Sequence, residues 1–317
     1  MRDKLILLAC SLVFSILLGE GTLRLFFNER FKPTDDERSL LYEYHEVLGW
    51  FPPKNSTRLF TATRTVTVTH NSDGFRGPER VENGKPNVLF LGDSFVWGFD
   101  VEADERFTEK LQKKHPEWNI YNLGVSGYGT DQELLLLGSC FEEYKPTAVI
   151  LIFCTDNDDT DNTSNMSAGG YYKPFFTVEG REGIRLNGVP VPRSERAILA
   201  RHRLLGRSYL VRSFVRAWCK GWRPAEVHTI QNATGLIIHA MRDETVKRGA
   251  YFAVGLQNSK LNLQEYLQHF QIPYVDLSNT NRYPEHGGHW TPEGHSVVCD
   301  RLDDLLSKAL DPKRRNP

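Results

Sequence analysis

The sequence predicts a three-layer α/β/α fold with a parallel sheet, because strand-like apolar runs alternate with helical patterns from about residue 85 to residue 310. Right-handed crossover helices then join neighbouring parallel strands. The first part of this alternation comprises Val88–Leu91, Glu105–His115, Asn119–Leu123, Asp131–Tyr144 and Ala148–Phe153. It resumes with a helix to Arg248, strand Tyr251–Leu256, a helix to Phe270, strand Tyr274–Leu277 and a final helix.

Residues 1–30 are predicted to form a membrane anchor or signal segment. Arg2 and Lys4 precede the apolar run Leu5–Leu18, and basic residues that flank such a run stay cytoplasmic. Alone, the run is about 21 Å long as a helix, and Leu23–Phe27 extend it towards the ~30 Å of a bilayer core. We expect an uncleaved single-pass anchor with the remainder outside the cytoplasm. Secretion after cleavage at Gly19-Glu20-Gly21 is the alternative.

Two segments fall outside the alternation. Residues 31–84 form an N-terminal extension, in which Thr65–Thr69 alternates as a strand and Asn71–Gly74 reads as a turn. Residues 159–225 form an insertion, with a hairpin predicted around Gly180–Gly183 and a helix from Ser208 to Arg223. We interpret this helix as amphipathic with its aromatic side chains packed inward, and stacking on sugars is the alternative. Its basic and aromatic residues are Arg212, Arg216, Lys220, Arg223, Tyr209, Phe214, Trp218 and Trp222.

Composition narrows the functional classes. The chain has 317 residues and a net charge of −1, which gives no reason to expect a nucleic-acid partner and leaves the oligomeric state open. Its cysteines have no metal-ligand spacing, whereas export permits disulfides. They are Cys10, Cys140, Cys154, Cys219 and Cys299. We predict no cofactor.

Ser94 is the candidate nucleophile. It follows strand Val88–Leu91 and the small Gly92, so its hydroxyl is expected at the carboxyl edge of the sheet, where open α/β folds bind ligands. A serine hydroxyl reacts only when a base takes its proton and donors receive the oxyanion. The α/β-hydrolase elbow needs glycine two residues after the serine, where this chain has Val96. A simple helix cap is the alternative role.

The loop after the second core strand offers oxyanion donors. Thr130 and Glu133 have the spacing of a capping box, which predicts a helix that starts just after Gly127 and Gly129. Unpaired N–H groups at that helix start would face the same space as Ser94.

His289 is the candidate base. Thr291 as N-cap and Pro292 as the first helical residue predict that the last helix starts directly after it. The positive end of a helix disfavours imidazolium, so His289 is expected to be neutral and able to accept a proton.

Four blocks in this order resemble the SGNH (GDSL) hydrolase family. They are Gly92–Phe95, Asn122–Gly129, Thr155–Asp158 and His289–His295, within a resemblance over about residues 85–310. The resemblance implies a flavodoxin-like parallel sheet, with Ser94 as the nucleophile and His289 as the base. It also implies an oxyanion hole made of the Ser94 and Gly127 backbone N–H groups and the Asn157 side-chain amide.

One position departs from the family pattern. The family usually carries an aspartate three residues before the histidine, and this chain has His286 there. Such an acid orients the imidazole and fixes its tautomer. Glu285 and Asp276 are the candidate orienting acids, and a backbone carbonyl is the third candidate.

A metal site is the weaker hypothesis for the remaining polar residues. His286, His295 and the acidic stretch Asp156–Asp161 include zinc-ligand types, but the stretch lacks the glycine and terminal glutamate of a calcium loop. We therefore interpret the stretch as solvated charge and predict no metal.

Together these expectations describe a membrane-anchored, extracytoplasmic serine esterase. Its substrate would be an O-acyl ester of a small molecule, a saccharide or a cell-envelope molecule. An O-acyl (acetyl) transferase with the same site is one alternative. A non-catalytic envelope-binding or assembly protein with a degenerate site is the other.

Overall fold

The N-terminal part of the chain is helical. The computed structural model describes residues 1–33, 35–202, 204–221, 224, 227 and 230–310. It begins with α1 (Arg2–Phe26), α2 (Asn28–Phe31) and α3 (Glu37–Leu41). α1 is long and apolar enough to cross a membrane, and none of its residues is buried. Its length and composition are therefore consistent with an anchor or a signal sequence.

Two antiparallel hairpins complete the N-terminal extension. The first pairs β1 (Glu43–His45) with β2 (Gly49–Phe51), and the second pairs β3 (Ser56–Thr61) with β4 (Thr65–His70). Inward and outward residues alternate along β4, as expected for a strand with one buried face. The strand predicted at 65–69 is therefore confirmed.

The other elements alternate along the chain, apart from one helical and hairpin insertion. In order they are β5 (Asn87–Gly92), α4 (Ser94–Trp97), α5 (Phe107–Lys114), β6 (Asn119–Asn122), α6 (Thr130–Tyr144), β7 (Ala148–Phe153), α7 (Asp158–Asp161), β8 (Phe175–Glu179), β9 (Gly183–Asn187), α8 (Glu195–Arg201), α9 (Tyr209–Lys220), α10 (Thr234–Lys247), β10 (Tyr251–Leu256), α11 (Leu261–His269), β11 (Tyr274–Asp276) and α12 (Pro292–Leu310).

The central sheet is parallel throughout, with the strand order β11-β10-β7-β5-β6. This is the flavodoxin-like order, so the predicted fold class is confirmed. The chain leaves β5 towards β6 on one side and returns to β7 on the other. Ligands of such sheets bind at the carboxyl ends of the two strands where the order reverses, which are here β5 and β7.

Helices cover both faces of the sheet. Leu89 and Leu91 of β5 face a core that includes side chains of α6 and α10, whereas Val88 and Phe90 face a second core with α5 and α12. All four side chains are fully buried. Burial on both faces explains why these strands are continuous apolar runs in the sequence.

The insertion contains the expected hairpin but a different helix surface. β8 and β9 pair across Gly180–Gly183 as predicted. In α9, however, Phe214 is 69% exposed and Trp218 is 56% exposed. The expectation of inward packing is therefore wrong for Phe214 and Trp218, whereas Tyr209 is buried as expected. Trp222 and Arg223 lie outside the described residues.

Gly124 joins β6 to the loop that faces the candidate nucleophile. A Cβ at this position would overlap the Trp97 backbone nitrogen and lie 2.7 Å from Val96 Cβ. We expect Gly124→Ala to lower the free energy of unfolding by about 1–3 kcal/mol, because the α4 backbone would have to move.

Gly138 provides the matched control. It lies inside α6, and a Cβ at this position would have nothing within 4 Å. Gly138→Ala should raise the free energy of unfolding by about 0.5–1 kcal/mol, since alanine favours a helix interior. Denaturant unfolding of both variants measures the difference, and equal effects would contradict the close packing assigned to Gly124.

Candidate active site

Ser94 lies at the first residue of α4, immediately beyond the carboxyl end of β5. Asp93 caps this short helix, with its Oδ1 accepting from the Phe95 N–H at 2.9 Å. Position 92 has no room for a side chain, since a Cβ there would overlap Val96 Cγ2. The Ser94 N–H has no acceptor within its own helix, because it is the first helical residue.

The structure brings Ser94 and His289 together. His289 Nε2 lies 2.7 Å from Ser94 Oγ, which is hydrogen-bond distance. The two residues are only 8% and 9% exposed. A nucleophile and base in contact at the carboxyl edge of a sheet are the arrangement that activated serines require.

Aromatic rings hold the imidazole of His289. Phe99 stacks on it at a centroid distance of 4.3 Å and an angle of 18°, and Phe95 packs at 4.9 Å. Burial lowers the pKa of His289 to about 4, while the His286 backbone and Asp100 oppose this shift. The ring is therefore neutral at pH 7 and can accept the Ser94 proton.

Neither candidate orienting acid reaches His289. Its Nδ1 is buried and has no hydrogen-bond partner within the described part of the chain. Glu285 is exposed, and Asp276 Oδ1 accepts from the Ser278 N–H instead. The expectation of a carboxylate partner from Glu285 or Asp276 is therefore wrong. The backbone of His286 is the polar neighbour that favours the charged ring.

The loop that carries Gly127 packs beside the nucleophile turn. Val125 N–H donates to the Gly92 carbonyl at 3.0 Å, and Gly127 has φ +77°. Its N–H makes no hydrogen bond to any residue that the structure describes. This donor remains available for an acceptor from outside the chain.

The helix after this loop starts where expected but has a different cap. Gln132 Oε1 accepts from the Gly129 N–H at 3.2 Å, so the reciprocal pair is Gly129 and Gln132. Thr130 Oγ1 and both carboxylate oxygens of Glu133 are instead buried without partners among the described residues. The capping box assigned to Thr130 and Glu133 is therefore wrong by one residue.

Arg38 of α3 reaches this loop from the N-terminal extension. A Cβ on Gly127 would overlap Arg38 Nη1, and one on Gly169 would lie 2.8 Å from its Cζ. The Arg38 side chain is largely buried, and its Nε lies 3.6 Å from Asp36 Oδ2 without making a hydrogen bond to any described residue. Sequence patterns gave no signal for this contact, because they do not show where a short helix packs.

Asn157 lies beyond the end of β7, next to the nucleophile turn. Its Nδ2 donates to Asp161 Oδ2 at 3.2 Å and lies 3.5 Å from Asp93 Oδ2. Its Oδ1 is buried and has no partner in the described part of the chain. The Nδ2 group therefore faces two carboxyl groups, so an oxyanion at Ser94 would have to replace one of them as its acceptor.

Several carboxyl groups behind Ser94 share this buried space. Burial raises the pKa values of Asp93 and Asp161 to about 6. Burial and neighbouring carboxylates raise the pKa values of Glu133 and Asp158 well above the ordinary range. Interpreting Asp156–Asp161 as solvated charge is therefore wrong for Asp158 and Asp161, which carry protons more readily than exposed acids do.

These polar residues do not form a metal-binding cluster within the described chain. His295, one of the histidines considered as a ligand, is fully buried and its Nδ1 accepts from the Phe107 N–H at 3.3 Å. Burial lowers the pKa of His295 to about 3. It acts as a packed, hydrogen-bonded core residue.

Comparisons with known proteins found similarity among solved structures only. No family model matches the chain, and no curated protein matches it significantly. The similar solved structures include an esterase and lipolytic proteins of the G-D-S-L family. The esterase EstA from Pseudoalteromonas sp. is 11% identical, with a TM-score of 0.41, over 72% of this chain and 100% of its own.

Two further structures are similar at the same level. A lipolytic protein of the G-D-S-L family from Veillonella parvula is 12% identical, with a TM-score of 0.40, over 70% of this chain and 98% of its own. A two-domain esterase active on acetylated mannans is 14% identical, with a TM-score of 0.39, over 71% of this chain and 49% of its own.

Because the pKa of buried Asp161 is raised, we expect the stability of the protein to depend on pH in an unusual way. The pKa of Asp161 rises from 3.8 to about 6 on folding. Between these values the folded state holds more protons than the unfolded state, so stability falls as pH rises from about 4 to about 6. This difference corresponds to about 3 kcal/mol. Urea unfolding of the full chain in detergent should show a weaker pH dependence for Asp161→Asn.

An exposed aspartate controls for charge removal in this experiment. Asp104 lies on the surface, so Asp104→Asn should keep the pH dependence of the unmodified chain. If Asp161→Asn and Asp104→Asn have the same pH dependence, Asp161 does not hold the proton.

Asn157→Ala tests the oxyanion role implied by resemblance to GDSL hydrolases. We expect kcat for an aryl ester to fall by about 10²–10³-fold, the usual cost of one oxyanion donor. Asn258 is a matched control, since it follows β10 at the same sheet edge and also donates to an aspartate, Asp156. Steady-state kinetics should show no change in Asn258→Ala. An Asn157→Ala variant with full kcat would exclude the role.

Proposed function

We propose that this chain is an extracytoplasmic serine esterase of the SGNH type. The observation that carries the proposal is the 2.7 Å contact between Ser94 Oγ and the neutral imidazole of His289. Gly127 supports it by offering a free backbone N–H beside the nucleophile turn. The substrate is an O-acyl ester of a saccharide or cell-envelope molecule.

The reaction proceeds through an acyl-enzyme on Ser94. Ser94 Oγ attacks the acyl carbon while His289 Nε2 takes its proton, and the N–H groups of Ser94 and Gly127 with the Asn157 amide receive the oxyanion. His289 then protonates the leaving alkoxide oxygen. Water attacks the acyl-enzyme and gives a proton to His289, which returns it to Ser94 Oγ as the acid leaves.

An uncleaved α1 would hold this domain at the outer face of a membrane. Glu20 in α1 accepts hydrogen bonds from Ser208 Oγ at 2.8 Å and from the Tyr209 and Leu210 N–H groups at 3.0 Å each. Cleavage after Gly21 would remove these acceptors from the start of α9. The contacts therefore favour retention of the segment, with Arg2 and Lys4 in the cytoplasm.

A large cavity beside the Gly127 loop supports an acylated saccharide as the substrate, because Arg38 both lines this cavity and packs on Gly127. It has a volume of about 880 Å³ and lies between the N-terminal extension and the insertion, with Arg38 in its wall. Arg58, Arg193 and Arg201 also line it and form no ion pair with a carboxylate that the structure describes. Aromatic walls suit sugar rings, and guanidinium groups without a carboxylate partner suit acidic substituents. The aromatic lining residues are Tyr42, Tyr44, Trp50 and Tyr171.

A fluorophosphonate probe tests whether Ser94 is a working nucleophile. We expect the full chain in detergent to be labelled at Ser94, with labelling lost on heat denaturation and in Ser94→Ala. Labelling at another residue, or none, would reject the esterase proposal. Absent labelling would instead favour the non-catalytic binding protein, which the unpartnered His289 Nδ1 keeps as the second candidate.

Product analysis then separates hydrolysis from transfer. With an acetylated aryl ester and excess oligosaccharide, an esterase releases acetate, whereas a transferase yields acetylated oligosaccharide. Both use the same Ser94 acyl-enzyme, so this result changes the acceptor and not the site.

A further inference from the structure

α9 and the turn before it expose a set of large apolar side chains. Leu204 is 86% exposed, Leu205 61%, Phe214 69% and Trp218 56%. Phe214 and Trp218 are four residues apart and therefore lie on one face of α9. We call these four residues the apolar platform. Large exposed apolar side chains so close in the chain are typical of an interaction surface.

Contacts with α1 fix the position of this platform along the axis of α1. Leu210 packs against Gly19, with 3.4 Å between its Cδ2 and the position of a Cβ on the glycine, and Glu20 accepts from the Leu210 N–H. Arg24 Nη2 donates to the Arg207 carbonyl at 3.1 Å. Residues 207–210 are thus level with residues 19–24 of α1, and Leu204 and Leu205 directly precede them in the chain.

This position along α1 coincides with the end of the segment that would span a membrane. About 20 helical residues cross the ~30 Å hydrocarbon core, so a span that starts at Leu5 ends near Arg24. Phe214 follows Leu210 by one helical turn, about 6 Å along α9. The platform therefore lies at the boundary between acyl chains and headgroups whenever α1 spans the bilayer.

The charges on α9 fit the same environment. Arg212, Arg216 and Lys220 lie on this helix, and residues 209–220 include no acidic residue. Arg216 Nη1 donates to the Arg30 carbonyl at 3.3 Å, which holds α9 beside the segment that leaves the membrane. Basic residues combined with Trp, Phe and Leu are typical of helices that lie on anionic lipid surfaces.

We propose that the apolar platform inserts into the outer surface of the bilayer that α1 spans, with anionic phospholipid as its occupant. This inference rests on the anchor in the proposed function and is independent of the Ser94 chemistry. Leu204 and Leu205 also line the arginine-containing cavity, so that cavity opens beside the membrane. The domain is then held by two contacts, and its cavity faces molecules at the membrane surface.

Photocrosslinking from the platform identifies its occupant. The full chain with Phe214→p-benzoylphenylalanine is reconstituted in nanodiscs of phosphatidylglycerol and phosphatidylcholine and irradiated. We expect crosslinks to lipid. Leu59 and Leu261 provide matched control sites, since they are 73% and 69% exposed on other elements. The same photoreactive residue at either control site should give no lipid crosslinks.

A second measurement introduces a negative charge into the apolar platform. Trp218→Glu, combined with the photoreactive residue at 214, should lose lipid crosslinking, while Leu261→Glu in the same background should keep it. Fluorophosphonate labelling reports on the Ser94 site in each variant, so loss of the fold is distinguished from loss of lipid contact.

Three outcomes would overturn the inference. Crosslinks from residue 214 to a second copy of the chain would identify an oligomer interface instead of a lipid surface. Lipid crosslinks of equal yield from positions 59 and 261 would show unspecific labelling. A chain that is not retained in nanodiscs, yet labels at Ser94, would reject the anchor and the platform while leaving the esterase proposal intact.

Discussion

Ser94→Ala and His289→Ala are each expected to lower kcat for a short-chain aryl ester by about 10⁴–10⁶-fold, the range found when a serine hydrolase loses its nucleophile or base. The two side chains are in direct contact, so neither has a function in acyl transfer without the other. The double variant should therefore be no slower than either single variant. Stopped assays at known protein concentration measure these rates.

Phe99→Leu controls for disruption of the pocket around His289. The rings of Phe95 and Phe99 both pack on His289, so Phe99→Leu should shift the pH profile and lower kcat much less than His289→Ala does. Additive losses in the Ser94→Ala, His289→Ala double variant would contradict a shared mechanism, because independent residues give additive free energies.

The parts of the site that could be predicted are those encoded by local sequence. Strand β5 is an apolar run ended by glycine, so the position of Ser94 follows from periodicity. Pro292 and Thr291 mark the start of α12, and Thr291 Oγ1 does accept from the Gly294 N–H at 3.2 Å. Signals of this kind depend on residues that are neighbours in the chain, so tertiary packing does not change them.

The parts that could not be predicted depend on tertiary packing. Glu133 was expected to cap α6, but both of its carboxylate oxygens are buried without partners among the described residues, and Gln132 makes the cap instead. Asp158 belongs to an acidic run in the sequence, yet it is fully buried because α7 packs behind Ser94. The exposure of Phe214 likewise follows from where α9 meets α1, which residue spacing within α9 does not reveal.

His286→Asp tests how the missing acid limits the enzyme. His286 lies at φ +46°, a left-handed conformation that aspartate adopts more readily than most residues. A carboxylate beside the unpartnered Nδ1 of His289 would fix the tautomer and stabilise the imidazolium. We expect kcat to rise by two orders of magnitude or more, with about 10⁴-fold as the ceiling set by the value of that acid in serine proteases.

The pH profile separates this effect from a change in packing. Burial holds the pKa of His289 at about 4, so the acid limb of kcat/KM should lie near pH 4 in the unmodified chain. A nearby carboxylate favours the charged ring, so His286→Asp should move that limb to higher pH.

His286→Asn keeps the backbone conformation without the charge and should change neither rate nor profile. Glu285→Gln should also be silent, since the Glu285 side chain is exposed. An unchanged kcat and acid limb in His286→Asp would mean that a carboxylate at this position does not reach Nδ1, and that packing against Phe95 and Phe99 already orients the imidazole.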